Sequence, residues 1–350
     1  MLLPMAALGL AALTLGAPET SKVAVERPKT AVRVTPEAAD LYKRGRFFWR
    51  QRTGPGFQQA ADLFQDALGK DPNYAPAYAG LADTYALMSA WGLGPHRELM
   101  PKARSAAERA VELDESLAEA HTSLALIAEN YDYDWPTAER EFRRAIELDP
   151  DYATAHHWYG EYLGWQGRFD EALAESDRAI ELDPESRMIA CDRVALFFYA
   201  RRYDRAVAQA RALLDRDPSY ARARNIMINA YAFDGRYEEA LAEIDRIWGK
   251  SDDPGGWIER AIVYGRLGRT VEAQEAIDRA TRIFSYAPGD YTELIVGISA
   301  VADRKDEAIA ILEKAYERRG NLMTILKVDP SLDPLRDDPR FQALLKKLRF

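Results

Sequence analysis

The chain is poor in the residues from which chemistry is usually built. It has one cysteine, Cys191, in 350 residues. That excludes an internal disulfide framework and any cysteine-rich zinc site. Only four histidines are present, and the sequence offers no further metal ligands beside them at suitable spacing. There is no Walker loop, no G-x-S-x-G elbow, no H-E-x-x-H and no complete G-x-G-x-x-G. Carboxylate pairs are frequent, as on any charged helix, but nothing marks a pocket. Catalysis, a cofactor and a bound metal are therefore not expected. An excess of basic charge is missing too: 47 Lys and Arg face 56 Asp and Glu, a net charge of −9. Nucleic-acid binding favours a basic footprint and is not expected.

Long apolar runs are absent apart from one, residues 1–17, MLLPMAALGLAALTLGA. It reads as an anchor or signal-like segment outside the fold. It is short for a membrane span, where about 20 residues are usual, and it lacks a basic start and a good cleavage site. Lys22, Arg27, Lys29 and Arg33 outnumber Glu19 and Glu26 just after it. By the positive-inside rule that flank belongs in the cytoplasm, which conflicts with export. A start further upstream would remove the conflict. Residues 18–35 carry Pro18 and Pro28 without a helical stripe and read as a linker.

What the chain has in abundance is a repeating helical pattern. Between Tyr152 and Pro184, His156, Tyr159, Gly160 and Leu163 share one helical face. Gly167 supplies a turn, and a second pattern carries Ala172, Ala179 and Leu182. Asp183-Pro184 ends it, because proline has no amide to donate and clashes with a continuing helix. With Ala172 as anchor, counterparts stand at Ala60, Ala103, Ala138, Ala206, Ala240, Ala273 and Ala308, mostly 33–35 residues apart. Seven positions after each anchor comes a second packing residue: Ala67, Ala110, Ala145, Ala179, Leu213, Ile247, Ala280 and Ala315. Four units stop on Pro72, Pro150, Pro184 and Pro218; the others stop on Glu115, Asp252, Ser285 and Gly320. Facing the anchor on the first helix are small Ala82, Ala125, Gly160 and Ala261, and bulkier Val194, Ile228 and Val296.

Aromatic, small residue, aromatic, Gly, Ala, Ala and Pro at these offsets resemble the tetratricopeptide repeat, a helix-turn-helix unit of 34 residues. The resemblance implies an all-α, right-handed superhelical solenoid of about eight repeats over residues 36–320. One unit cannot bury its apolar faces alone, so stacked neighbours share a continuous core. Residues 321–350 would form a cap, with Phe341, Leu344, Leu345 and Leu348 as a stripe covering the last repeat. Removing one interior unit, residues 153–186, should leave a shorter folded array.

The family implies that first helices line a groove and bind a partner protein or peptide there, and its groove-facing positions fall on particular residues of this chain. In unit four they are Thr154, His157, Glu161 and Gly164, then Met188, Cys191, Ala195 and Phe198, then Arg222, Asn225, Asn229 and Ala232. We single out His157, Glu161, Arg222, Asn225 and Asn229 as partner-binding. The two asparagines lie one helical turn apart, and an amide both donates and accepts, which suits an extended backbone. Arg222 could meet a carboxylate. His121 and His156 fall where this repeat commonly has tryptophan and are expected in the core. An insertion of about nine residues around SAWGLGPHREL should form a loop bearing Trp91 and His96. The basic cluster Lys43, Arg44, Arg46, Arg50 and Arg52 reads as a solvated helix face.

The stretches YAGLADTYALMSAWG, ATAHHWYGEYLG and VDPSLDPLRDDPRF resemble one bacterial subgroup, in which such arrays follow a winged-helix or serine/threonine kinase domain. By that analogy the expected location is membrane-associated with the array in the periplasm, the alternative being cytoplasmic. A sensory or regulatory module is the second functional expectation.

Overall fold

The computed structural model describes residues 35–249, 253–284 and 304–350. The anchor-like segment 1–17 and nearly all of the linker lie outside the described residues. Helices occur in pairs. They are α1 Pro36–Arg50 with α2 Gly54–Lys70, α3 Ala75–Ala90 with α4 His96–Leu113, and α5 Ala118–Ile127 with α6 Trp135–Leu148. Next come α7 Ala153–Trp165 with α8 Phe169–Leu182, and α9 Arg187–Tyr199 with α10 Tyr203–Arg216. Then follow α11 Ala221–Phe233 with α12 Tyr237–Ile247, and α13 Pro254–Arg266 with α14 Thr270–Phe284. The expected first helix of the eighth unit, with Val296, falls outside the described residues; its second is α15, Lys305–Arg318. A short α16, Pro339–Lys347, follows. No strand occurs among the described residues.

Local sequence accounts for these boundaries. Helices α2, α6, α8 and α10 each end one residue before an Asp-Pro step. Gly167, between α7 and α8, has φ +79°, a left-handed turn that glycine adopts without strain. Arg201 takes the same place in the next unit at φ 59°. All eight anchor alanines are fully buried, so the spacing read from sequence is the spacing of the helix contacts.

A close approach of first helix to second is seen in unit four. A Cβ at Gly160 would stand 3.0 Å from the Ala172 carbonyl oxygen, a backbone atom that cannot step aside. Gly160→Leu should therefore destabilise the fold by about 1–3 kcal/mol. A urea melt reads this directly, and an unchanged midpoint would contradict the close approach.

Two regions depart from the sequence expectation. The insertion in unit two does not make a long loop. It lengthens both helices, with α3 at 16 residues and α4 at 18, leaving only 91–95 between them. In unit three α5 loosens into a π-helical turn, Ala128–Asp132, which Tyr133 closes in the left-handed region at φ 54°. Such turns rotate the side chains that follow and often mark functional sites.

The C-terminal segment does more than cover the last repeat. Residues 321–350 form two 3₁₀ turns and α16, which pack on α15. They also reach back across the sequence to units three to five. The Trp135 indole N–H donates to the Leu348 carbonyl at 2.7 Å, and its ring stacks on Phe350. Arg201 makes a two-pronged pair with Asp333 at 2.7 and 2.8 Å. Lys327 Nζ donates to the Gln166 carbonyl at 3.1 Å, and just before the segment, at the end of α15, Arg319 donates to that of Tyr131. Met323, Leu326, Leu332 and Leu335 are fully buried along this path. The segment is a strap as well as a cap. Among the described residues no helix is long and apolar enough to cross a membrane.

Candidate inner-face binding site

First helices supply the site. Asp192 on α9 is buried and accepts from His157 Nε2 on α7 at 2.9 Å through one oxygen. Its other oxygen pairs with the Arg222 guanidinium from α11. One carboxylate thus ties three consecutive first helices together. Glu161, one turn along α7, has a carboxylate oxygen 3.8 Å from His157 Nε2.

The same device recurs lower in the array. Asp83 on α3 accepts from Arg46 of α1 at 3.2 Å and from Ser123 of α5 at 2.6 Å. This corrects the reading of the basic cluster as one solvated face. Lys43, Arg44 and Arg50 are exposed, but Arg46 turns inward to Asp83, and Arg46 and Arg52 both stack over Trp49.

Environment separates the carboxyls. Burial pushes Asp192 up, but the Arg222 charge and the His157 hydrogen bond outweigh it and hold it below the usual range. Burial, with Asp192 as a negative neighbour, lifts Glu161 to about 7. Burial likewise lifts Asp83 to about 6, against the pull of Arg46 and Ser123.

His157, Asp192, Arg222 and Glu161 form part of the wall of a cavity of about 670 Å³. Trp91, Trp158, Trp165 and Met188 contribute apolar wall, and Thr324 brings the C-terminal strap to its edge. Trp91 stands 45% exposed, its ring edge-on to Phe57. His96 is held between Ser89 Oγ at 2.6 Å and the Asn130 carbonyl at 3.3 Å. The inserted residues therefore deliver both Trp91 and His96 to the cavity.

Of the residues singled out from sequence, His157, Glu161 and Arg222 come together here. Asn225 and Asn229 lie on the same helix as Arg222 but outside this cavity wall. Asn229 donates to the Asn225 carbonyl at 3.1 Å and lies 3.5 Å from Glu259, so its donors are already engaged. Sequence counting missed Asp192. It chose Cys191, which is buried in the core, whereas Met188 and Asp192, four apart, take the inner face. The lone acidic residue of a largely apolar helix was the available signal.

Nor did the sequence reveal a ligand set. The fold brings His157, Glu161 and Asp192 within 4.8 Å of one another, three metal-capable donors. Arg222 works against a dication there, since its positive charge already holds Asp192. His121 and His156 have the expected core role. Each bridges a glutamate of the second helix, Glu141 at 2.8 Å and Glu175 at 2.6 Å, to a carbonyl preceding its own helix.

Comparison with known proteins agrees with the fold. The tetratricopeptide repeat family profile matches residues 134–187 and 191–253. The transcriptional regulator HilA of Salmonella typhimurium is 31% identical over 133 residues, covering 38% of this chain but only 24% of the regulator. A tetratricopeptide repeat protein from Parabacteroides merdae aligns with 77% of this chain and 100% of its own at 14% identity, TM-score 0.50. IFIT1 with m7Gppp-AAAA aligns with 89% of this chain and 71% of its own at 13% identity, TM-score 0.59. With its anchors buried in register and these matches in fold and profile, the chain has the fold of a tetratricopeptide repeat array.

Proposed function

We propose that the array is a non-catalytic binding module that captures a protein or peptide segment on its inner face, beside the cavity. The observation that carries this reading is the convergence of His157, Glu161 and Arg222 around buried Asp192 in a cavity wall that also carries Trp91, Trp158 and Trp165. Arg222 keeps nearly half its side-chain surface exposed while it pairs with Asp192, so donors remain for a partner carboxylate. Asn225, half-buried on the same helix, extends the polar strip.

The test uses Asn225→Ala and Arg222→Lys, with the partner first identified by proximity labelling in the native cell. Asn225→Ala should leave the melting temperature in place and weaken capture. Arg222→Lys keeps the charge facing Asp192 but loses the fork, and should weaken capture further. Full capture by both folded variants would move the site elsewhere. Asn229→Ala is a poor probe, because it also strips buried Glu259 of its neighbour.

A second reading, a sensory module of a regulator, is favoured by the similarity to HilA, although the match spans about a quarter of that protein. Membrane attachment through residues 1–17 and a periplasmic array remain part of the proposal. Protease added to spheroplasts should digest the array. A protected array, or full-length chain in the soluble cytosol, contradicts that placement.

A further inference from the structure

Glu129 is not used by the network around Asp192. It lies in the π-helical turn after α5, is 2% exposed, and lines the cavity. Among the described residues no hydrogen bond or ion pair reaches its carboxyl, whereas Asp192 is answered by both Arg222 and His157. Burying a carboxyl without a partner costs a few kcal/mol, and folds normally avoid it. Trp91, Trp158, Trp165 and Leu126 give the cavity a large aromatic and apolar share of its wall, and the Arg222 charge on that wall is already taken up by Asp192. A buried carboxyl without a partner beside tryptophans, free to ionise against an incoming ammonium, is the chemistry that recognises a cation carrying hydrocarbon.

We propose that this cavity binds an organic cation, an alkylammonium group, with Glu129 as its counter-ion and tryptophan rings as its walls. Glu161 adds negative charge at the same wall, and its field is felt at Glu129. Arg52 also touches the cavity, but its guanidinium is stacked over Trp49 and is not paired with Glu129. About 670 Å³ suits a small molecule. It also suits one lysine side chain presented by a partner, so the ammonium has two possible sources. The proposal rests on the inner face being a binding surface and names the chemistry that surface selects.

The experiment is calorimetric titration of the full chain with n-hexylamine, with n-hexanol as the neutral isostere and Zn²⁺ as a metal control. Short peptides differing only in lysine against norleucine form the second arm. Hexylamine should bind at least tenfold more tightly than hexanol. Glu129→Gln keeps the shape, removes the charge, and should weaken the amine at least tenfold while leaving hexanol unchanged. Its melting temperature should not fall, because a neutral amide is buried more cheaply than a carboxylate.

Binding of the lysyl peptide alone, lost in Glu129→Gln, would place the cation on a partner side chain and still support the assignment. Equal affinity for amine and alcohol, or a Glu129→Gln variant that binds the amine as well as the parent, overturns it. So does preference for Zn²⁺ over every amine. If amines fail while Asn225→Ala and Arg222→Lys still weaken partner capture, the cation assignment falls and the binding module stands. If amines bind and capture is untouched by those variants, the reverse holds.

Discussion

Removal of residues 321–350 should leave an array that binds a hydrophobic dye, aggregates on standing and melts well below the intact chain. The segment carries Met323, Leu326, Leu332, Leu335 and Leu348 fully buried, with Phe341 nearly so. Fully burying one such side chain is worth about 1.5–3 kcal/mol, so six rival the whole 5–15 kcal/mol by which a typical domain is stable. Its ion pairs matter less. Arg201 and Asp333 are both more than a third exposed, and such pairs are usually worth about 0–1 kcal/mol. Arg201→Ala should therefore shift the melting point only slightly. A truncated chain that stays monomeric, excludes the dye and melts like the parent would show that the strap is not part of the core.

The same strap changes what repeat modularity permits. A solenoid held only by nearest neighbours tolerates loss of an interior unit. Here Trp135 meets Leu348, Gln166 meets Lys327, and Arg201 meets Asp333. Deleting residues 153–186 would remove Gln166 and set Trp135 and Arg201 one unit out of step with the strap. The shortened chain should lose strap packing, in contrast to the simple expectation from the repeats.

Lowering pH from about 8 to about 5 should stabilise the protein, the opposite of ordinary acid behaviour. A carboxyl whose pKa is raised on folding holds its proton more tightly in the folded state. Stability then grows as pH falls through the folded value, and the gain is complete below the unfolded one. Burial raises Glu259 to about 8, with only the Asn229 amide opposing. Glu161 stands at about 7 and Asp83 at about 6, and Glu129 lies well above the usual carboxyl range.

His156 acts in the same direction. Burial lowers it, but the Glu175 hydrogen bond wins and raises it, so its contribution is present at low pH and lost as pH rises. His96, lowered by burial, opposes this as it takes up a proton below its ordinary value. Asp192 is depressed and stays ionised in both states through the window, acting only near pH 4 and below.

At about 1.4 kcal/mol per pKa unit, Glu259 alone should supply about 2–4 kcal/mol between pH 8 and 5. Melting temperature against pH reads the slope, and Glu259→Gln should flatten much of it and raise the melting point at pH 8. A melting point that falls steadily from pH 8 to 5 would mean these carboxyls are not buried.

The repeats were legible because their signal is local and recurrent. An alanine every 33–35 residues, a stop on Asp-Pro and a glycine in the turn each follow from helix geometry, and each was found in place. The histidine face assignments followed from the same register, which put His156 inward and His157 on the groove side. In α9 the count placed Met188 at the cavity, as found, but put Cys191, a core residue, where Asp192 stands.

Other features depend on contacts that no single stretch encodes. The π-helical turn at Ala128–Asp132 leaves no mark in a hydrophobic pattern, so nothing in the sequence singles out Glu129. Asp83 and Asp192 acquire meaning only beside partners 30 to 40 residues away in sequence. The strap's partners lie 132 to 213 residues distant. A stripe of leucines announces that a surface will be covered, but not which one.

The central claim, that the inner face is where a partner binds, is tested most directly by site-specific photocross-linking in the native cell. A photoreactive residue is placed in turn at Trp91, beside the cavity, at Asn225 on α11, and at Val271 on α14, which is 69% exposed. The account predicts one protein cross-linked from Trp91 and Asn225 and absent from Val271. The same partner trapped from Val271, with nothing trapped from either inner position, would contradict it.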